Sequence, residues 1–380
     1  MKTILLVAGA RPNFMKIAPI LRALKTHPNL RGLVVHTGQH YDHGMAGSFF
    51  ESLGIGEPDF NLGVGSGSHA AQTAKIMVAF EEVCEKTNPD MVLVVGDVNS
   101  TIAAGLVAKK QNVLLGHVEA GLRSRDRTMP EEINRLATDA ITDIFFTTEK
   151  EGTSNLVGEG QDSRKVHFVG HVMIDNLFYQ LSKINESGPS ELARSLCNGL
   201  PAAYACLTLH RPSNVDNKEV LTGIIKACKK LSEKTPVIFP CHPRTKKNID
   251  AFGLSSFFSE ITALGADKKS GLLITTPLGY DDFLYIFKNA RLMLTDSGGL
   301  QEETTALKIP CITIRENTER PITVEVGSNV LAGTKPESIV EYGEKALAGK
   351  WKKSSVPDKW DGKASERIAE IIDKELHCQK

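Results

Sequence analysis

Short apolar runs alternate with amphipathic stretches along nearly the whole chain, and that alternation constrains the fold more than any other feature. Residues 3–8, 32–36, 91–95, 113–116, 144–147 and 166–169 are apolar and strand-length, as strands covered on both faces must be. Between them, residues 15–25, 100–110, 130–142 and 151–158 repeat apolar side chains at helical spacing. Strand, helix, strand in that order implies a parallel sheet with helices on both faces. Around residues 183–200 the stretch SKINESGPSELARSLCNGLP (182–201) is polar and irregular and reads as a linker. The alternation then resumes, with strands at 204–209, 236–240, 272–275, 292–295 and 311–314 and helices at 218–232, 281–290 and 300–307. A last helix at 364–376 follows a loose segment holding Trp351 and Trp360. The fold class is α/β, with two Rossmann-like, doubly wound domains in tandem. The length of 380 residues fits two domains at ~100–200 residues each. Open α/β sheets bind ligands beyond the carboxyl ends of their strands, so two such domains facing each other predict an interdomain cleft.

Composition narrows the partners. Lys+Arg and Asp+Glu both number 45, which gives no electrostatic case for nucleic acid or an anionic membrane. No apolar run approaches the ~20 residues of a spanning helix. The start, MKTILLVAGARPNFMK, mimics a short signal peptide, but its apolar run breaks within about eight residues and reads as a first buried strand. The seven cysteines have no CxxC and no regular spacing, which points to reduced thiols in a cytoplasm. No GxSxG elbow, P-loop or Rossmann GxGxxG follows a predicted strand, against hydrolase, kinase and dehydrogenase readings. His117, His210 and His242 lack metal-ligand spacing, so neither a metal nor a cofactor is expected.

Residues 291–303, RLMLTDSGGLQEE, carry the densest chemical signal. An apolar strand leads through Thr295, Asp296 and Ser297 into Gly298-Gly299, and Leu300 begins a helical run. A strand, a glycine turn and a helix start make a phosphate cradle: the backbone comes close, and the first N–H groups meet the anion at the positive end of the helix dipole. Glu303, one turn in, is placed to accept from ribose hydroxyls. The competing reading is an ordinary strand-to-helix turn capped by Ser297 or Asp296.

Most other polar clusters also follow predicted strands. Arg11 and Lys16, after the first strand, are either holders of a diphosphate or solvated surface cations. Asp97, in GDVNST, is either a helix cap or an active carboxylate. Glu119, in GHVEAGLR, has no apolar reason to sit at a strand end. Glu131 and Glu132 suit the first turn of a helix opened by Pro130. Yet Asp97, Glu119 and Glu131 converge on the ligand side of one sheet, and clustered carboxylates push their pKa values apart, so that one donates while another accepts. In the second domain His210-Arg211 ends a strand and suits phosphate contact or proton transfer; Cys241-His242-Pro243-Arg244 repeats the pattern more weakly. Phe283 is a base-stacking candidate or a core aromatic. Arg320, in a charged loop, is an ion-pair member or a further anion contact.

Together these motifs resemble the non-hydrolysing UDP-N-acetylglucosamine 2-epimerases. The likeness runs from GARPNFMKIAP at Gly9 through TGQH, GDVNST, GHVEAGLRS, MPEEINR, LHRPSNVD, TDSGGLQEE and NTERP to GKASERI at Gly362. It implies a glycosyltransferase-B type fold, with one domain of residues 1–172 plus 362–380 and another of 173–361. It implies conversion of UDP-GlcNAc to UDP-ManNAc by elimination of UDP to a glycal and re-addition, without NAD, by a homodimer. Asp97, Glu119 and Glu131 then correspond to the acid/base set, and His210 to a catalytic or phosphate-side partner. Arg11 and Lys16 correspond to nucleotide-sugar contacts, Ser297, Gly298 and Gly299 to the diphosphate site, Glu303 to the ribose contact, Phe283 and the backbone near Leu278 to the uracil site, and Arg320 to another UDP contact.

There are departures from the family pattern. Residue 13 is Asn where many members have Glu, residues 96–101 read GDVNST where many read GDTTT, and residue 171 is His where Asn is common. Some members are activated by a second substrate molecule near TGQH; Gln39 and His40 are present, but Tyr41-Asp42-His43 departs from that pattern. A related branch acts on diacetamido-uronic UDP-sugars, and a glycosyltransferase or a non-catalytic nucleotide-sugar sensor would share the fold.

Overall fold

The computed structural model describes residues 1–38, 50–261 and 270–378. Gln39, His40 and the Tyr41-Asp42-His43 segment lie outside the described residues. The chain divides into two compact units, Met1–Phe178 with Asp358–Lys380, and Tyr179–Pro357.

The first unit is built on seven parallel strands: β1 (Lys2–Ala8), β2 (Leu30–His36), β3 (Phe60–Asn61), β4 (Met91–Val95), β5 (Leu114–Val118), β6 (Ile144–Thr147) and β7 (Val166–Phe168), in the order β3-β2-β1-β4-β5-β6-β7. Side chains alternate across the sheet. Ile4, Leu6 and Ala8 pack with Phe14, Ile17 and Ile20 of the helix Arg11–Leu24 and with Ile368 and Ile372 of the helix Ala364–Cys378. Leu5 and Val7 join the opposite face, with Phe80 and Val83 of the helix His69–Thr87 and Ala104 of the helix Asn99–Lys110. The helix Ala364–Cys378 is fixed at its start by Asp175, whose carboxylate accepts the N–H groups of Ala364 (3.1 Å) and Ser365 (2.6 Å), donors that a helix cannot satisfy internally. The strand order reverses between β1 and β4, the switch point where doubly wound sheets open toward ligands.

The second unit repeats the plan with β8 (Ala205–Thr208), β9 (Val237–Pro240), β10 (Phe258–Glu260), β11 (Leu272–Thr275), β12 (Leu292–Thr295), β13 (Cys311–Thr313) and β14 (Asn329–Leu331), ordered β10-β11-β9-β8-β12-β13-β14, again parallel. Its switch point lies between β8 and β12. Leu207, Leu292, Leu294 and Ile312 pack there against Ile224, Cys228 and Leu231 of the helix Lys218–Ser232.

Residues 183–200 are not a linker. They hold the end of the helix Val172–Ser187 and the helix Glu191–Cys197, the latter capped by the Ser190 hydroxyl, which accepts from Ala193 N–H. Polar composition concealed these helices because they bury a narrow face: only Ala193 and Leu196 of the second are buried. The helix His69–Thr87 is also absent from the sequence reading; it buries Gln72, Ile76, Phe80, Val83 and Cys84, and Met77 packs beside them. Among the described residues no helix is long and apolar enough to cross a membrane.

Candidate active site

In the first unit the candidate residues gather at the carboxyl ends of β1, β4 and β5. Asn13 bridges the switch point: its Oδ1 accepts the Ala10 N–H (2.9 Å) and its Nδ2 donates to the Val95 carbonyl (3.3 Å). Glu119 follows β5 directly, is 4% exposed, and holds a left-handed backbone at φ 67°. For a side chain of this size that costs on the order of 1–3 kcal/mol, and such strain collects at functional sites. Its Oε2 is ion-paired with Lys16 Nζ. Lys16 is therefore not the solvated cation of the competing sequence reading, whereas Arg11 is exposed at the first position of its helix. Gly96 stands beside the pair; a Cβ there would lie 3.2 Å from Lys16 Nζ and 3.5 Å from Glu119 Oε2.

Asp97 does not cap the following helix, because Val98 occupies that position. Its carboxylate is paired with Arg135 at 2.5 Å, and its carbonyl accepts from Asn134 Nδ2 at 2.8 Å. Arg135 also holds Glu132 at 2.8 Å. The structure separates the two neighbouring glutamates. Glu132 is buried and accepts the N–H groups of Ser124 (2.9 Å) and Arg125 (3.0 Å). Burial alone would raise its pKa, but these bonds and Arg135 together hold it below the usual range. Glu131, half-buried at the start of the helix Pro130–Ile141, stands outside that knot of bonds.

In the second unit the centre is Asp296, fully buried just beyond β12. Thr295 pairs in register with Thr208, so the residues that follow both strands emerge side by side. The Asp296 carboxylate faces His210 Nδ1 at 2.9 Å and accepts the N–H groups of His210 (3.0 Å) and Arg211 (2.9 Å) and the Asn214 amide (3.2 Å). Burial opposes its ionisation, yet these donors hold it below the usual carboxylate range. Asp296 therefore orients His210 and caps nothing. Sequence reasoning missed this pairing because the adjacency of β8 and β12 is invisible along the chain. His210 leaves 46% of its side chain exposed, and an Nδ1–H turned to Asp296 leaves Nε2 to meet a ligand. His242 is a helix cap, its Nδ1 accepting from Arg244 N–H at 3.2 Å.

Ser297 occupies the N-cap position of the helix Gly298–Ala306 without a side-chain capping bond. Gly298 and Gly299 are not a glycine turn. They are the first helical residues, neither has positive φ, and a Cβ on either would meet no atom within 4 Å beyond its chain neighbours and its own helix backbone. Gln301 ties this turn to the next loop, donating to the Ser297 carbonyl (3.1 Å) and accepting from the Thr318 hydroxyl (2.6 Å). Arg320, at the end of that loop, is ion-paired with Glu302 at 2.5 Å.

Glu303 is buried, its Oε1 accepting from the Tyr280 hydroxyl at 2.8 Å and its Oε2 without a hydrogen-bond partner. Burial pushes its pKa from 4.5 up to about 7; Glu302 adds to the rise and Tyr280 opposes it. A carboxyl raised on folding stabilises the native state below its unfolded pKa and loses that contribution as pH climbs through the folded one. Stability is therefore expected to fall between pH 4.5 and about 7, and Glu303→Gln is expected to flatten that slope in thermal melts across the range. On the helix that starts with Tyr280, Phe283 lies partly exposed with its ring 5.2 Å from Phe287. Leu278 is half-buried in the preceding loop.

Among the described residues no group of three or more His, Cys, Asp and Glu side chains could hold a metal ion. A family model described as UDP-N-acetylglucosamine 2-epimerase matches residues 22–373. The chain belongs to the UDP-N-acetylglucosamine 2-epimerase family. It is 43% identical over 373 residues to the UDP-N-acetylglucosamine 2-epimerase of Methanocaldococcus jannaschii, covering 97% of this chain and 98% of that one. It is 37% identical over 374 residues, 98% and 99% of the two chains, to a UDP-2,3-diacetamido-2,3-dideoxy-D-glucuronate 2-epimerase from Pseudomonas aeruginosa. The crystal structure of the Methanocaldococcus jannaschii enzyme in complex with UDP-GlcNAc and UDP superposes with a TM-score of 0.77 at 42% identity, covering 98% and 99% of the chains. The two doubly wound units are thus those of a glycosyltransferase-B type epimerase fold.

Proposed function

We propose that this chain interconverts UDP-GlcNAc and UDP-ManNAc by inverting carbon 2 of the sugar. The observation that carries this reading is full-length likeness to UDP-GlcNAc 2-epimerases, joined to a strained, buried carboxylate in one unit and a helix start open to an anion in the other. The carbon 2 proton is barely acidic, and simple deprotonation would leave a carbanion with no sink. Departure of the diphosphate, running ahead of proton loss, supplies one. The C1–O bond breaks with its electron pair leaving on UDP, a base removes the carbon 2 proton, and a glycal forms. Return of the proton to the opposite face, with re-addition of UDP, gives the epimer.

The first unit supplies the acid/base groups, Asp97, Glu119 and Glu131, and the sugar-nucleotide contacts Arg11 and Lys16. The Lys16–Glu119 pair couples these tasks, because a diphosphate that draws on Lys16 weakens the positive charge beside Glu119 and makes its carboxylate a stronger base. The second unit supplies the nucleotide contacts. Ser297, Gly298 and Gly299 hold the diphosphate at the helix start, Glu303 the ribose, Phe283 and the backbone at Leu278 the uracil, and Arg320 the remaining UDP charge. His210, oriented by Asp296, stabilises the leaving diphosphate or transfers a proton to it. The protein works as a homodimer in a reducing cytoplasm, a location that the free thiols of Cys84, Cys206, Cys228, Cys241 and Cys311 support.

Incubation with UDP-GlcNAc in heavy water, without NAD, is expected to place deuterium at carbon 2 of both epimers by NMR. No exchange, no glycal and no free UDP would refute the reading. The diacetamido-uronate relative makes that nucleotide sugar the second substrate to try: exchange confined to it would move the assignment to the other branch.

A further inference from the structure

His117 takes no part in the reaction described above, yet it lies between the turns that carry Asp97 and Glu119. It is fully buried on β5, with Nδ1 2.7 Å from Asp139 Oδ1 and Nε2 2.9 Å from the Gly96 carbonyl. A carbonyl oxygen can only accept, so Nε2 carries a hydrogen. The second oxygen of Asp139 is held by Arg123 at 2.8 Å and by the Gly121 N–H at 3.1 Å, which makes Asp139 an ionised, accept-only partner, and Nδ1 carries a hydrogen too. Two donors on one ring are the bonding pattern of an imidazolium. The charged groups around it are Asp139, Arg123 with its second partner Glu159 at 2.6 Å, and Glu119 with Lys16.

The two ends of this array fall on the active-site turns. Gly96 immediately precedes Asp97, and Gly121 lies two residues beyond Glu119. Gly96 and Glu119 both hold left-handed backbone, at φ 67° each; glycine adopts it freely, but for Glu119 it lasts only where the surroundings enforce it. Stability alone is a poor reason for such a buried ion pair, since apolar side chains of similar volume commonly serve as well.

We propose that His117, as an imidazolium anchored on Asp139, is a positioning residue that fixes Asp97 and Glu119 relative to each other by locking the Gly96 carbonyl and, through Asp139, the Gly121 N–H. The assignment rests on the reading of Asp97 and Glu119 as acid/base groups.

Three measurements test it. Nitrogen-15 NMR of the wild-type protein at neutral pH is expected to show both ring nitrogens of His117 protonated; a neutral ring overturns the proposal whatever the activity. His117→Gln keeps a donor for the Gly96 carbonyl but loses the charge and the reach to Asp139. It is expected to lower kcat for carbon 2 exchange about 10²-fold, the cost of a small misplacement of reacting groups, and to displace the pH profile of kcat. KM and UDP affinity by calorimetry stay within about twofold of wild type, a split that general loss of structure would not give. Asp139→Asn, which retains an acceptor for Nδ1, is expected to show the same split, and it carries the test if His117→Gln does not fold. Unchanged kcat, or kcat and UDP affinity falling together, overturns the proposal. If the wild-type protein exchanges no proton with either nucleotide sugar, the epimerase reading fails instead, and the ring spectrum still reports whether His117 is charged.

Discussion

Glu119→Gln is expected to slow deuterium incorporation at carbon 2 by about 10²–10⁴-fold, the usual worth of a positioned acid or base, with UDP affinity held within about twofold. The amide is isosteric, so the left-handed backbone at residue 119 and the packing around it are preserved, while proton-accepting power and the charge facing Lys16 are lost. Lys16 then faces a neutral group in a mostly buried position, and a small fall in melting temperature accompanies the kinetic loss. Single-turnover exchange and calorimetry with UDP measure the two effects separately. A variant that lost affinity and rate in equal proportion would mark Glu119 as a binding residue, and the acid/base assignment would pass to Asp97 and Glu131.

How much of this site the sequence made legible follows from what each residue's role depends on. Periodicity identifies strands buried on both faces, because β1 and β4 are apolar almost end to end, and the alternation with helices then dictates parallel sheets. Glu119 could be singled out because an acid at the end of such a strand has no packing rationale. Roles set by contact across the sheet are hidden. Asp296 reads as a local cap until β8 and β12 are known to be neighbours, and His117 shows only that it lacks metal-ligand spacing until Asp139 is brought against it from the helix Pro130–Ile141. Glu131 and Glu132 both suit a helix's first turn, and it is the fold that bonds the second to Arg135 and to the turn at Ser124. The two-residue β3 is too short to print a pattern, whereas the helix His69–Thr87 is legible in principle, since Ile76, Phe80, Val83 and Cys84 recur at helical spacing on its buried face.

Gly299→Val is expected to weaken UDP binding by 100-fold or more, at about 1.4 kcal/mol per tenfold, while leaving the fold intact. Two kinds of glycine can be told apart here. Gly121 is required by the chain itself, since its φ is 80° and a Cβ would sit 2.2 Å from the Gly152 carbonyl oxygen. Gly299 has no such constraint: it is helical, and a Cβ there would meet no atom within 4 Å beyond its chain neighbours and its own helix backbone. For the folded chain alone, replacing it is close to neutral, because valine's better helix propensity offsets its restricted rotamers. The cost appears only when an anion approaches the first N–H groups of the helix Gly298–Ala306, where the added methyl groups hold it beyond hydrogen-bonding distance. Calorimetry with UDP alongside a thermal melt separates the cases: lost affinity at an unchanged melting temperature places the diphosphate at this helix start, whereas unchanged affinity removes it from there and leaves Glu303 and Phe283 without the ligand their roles require.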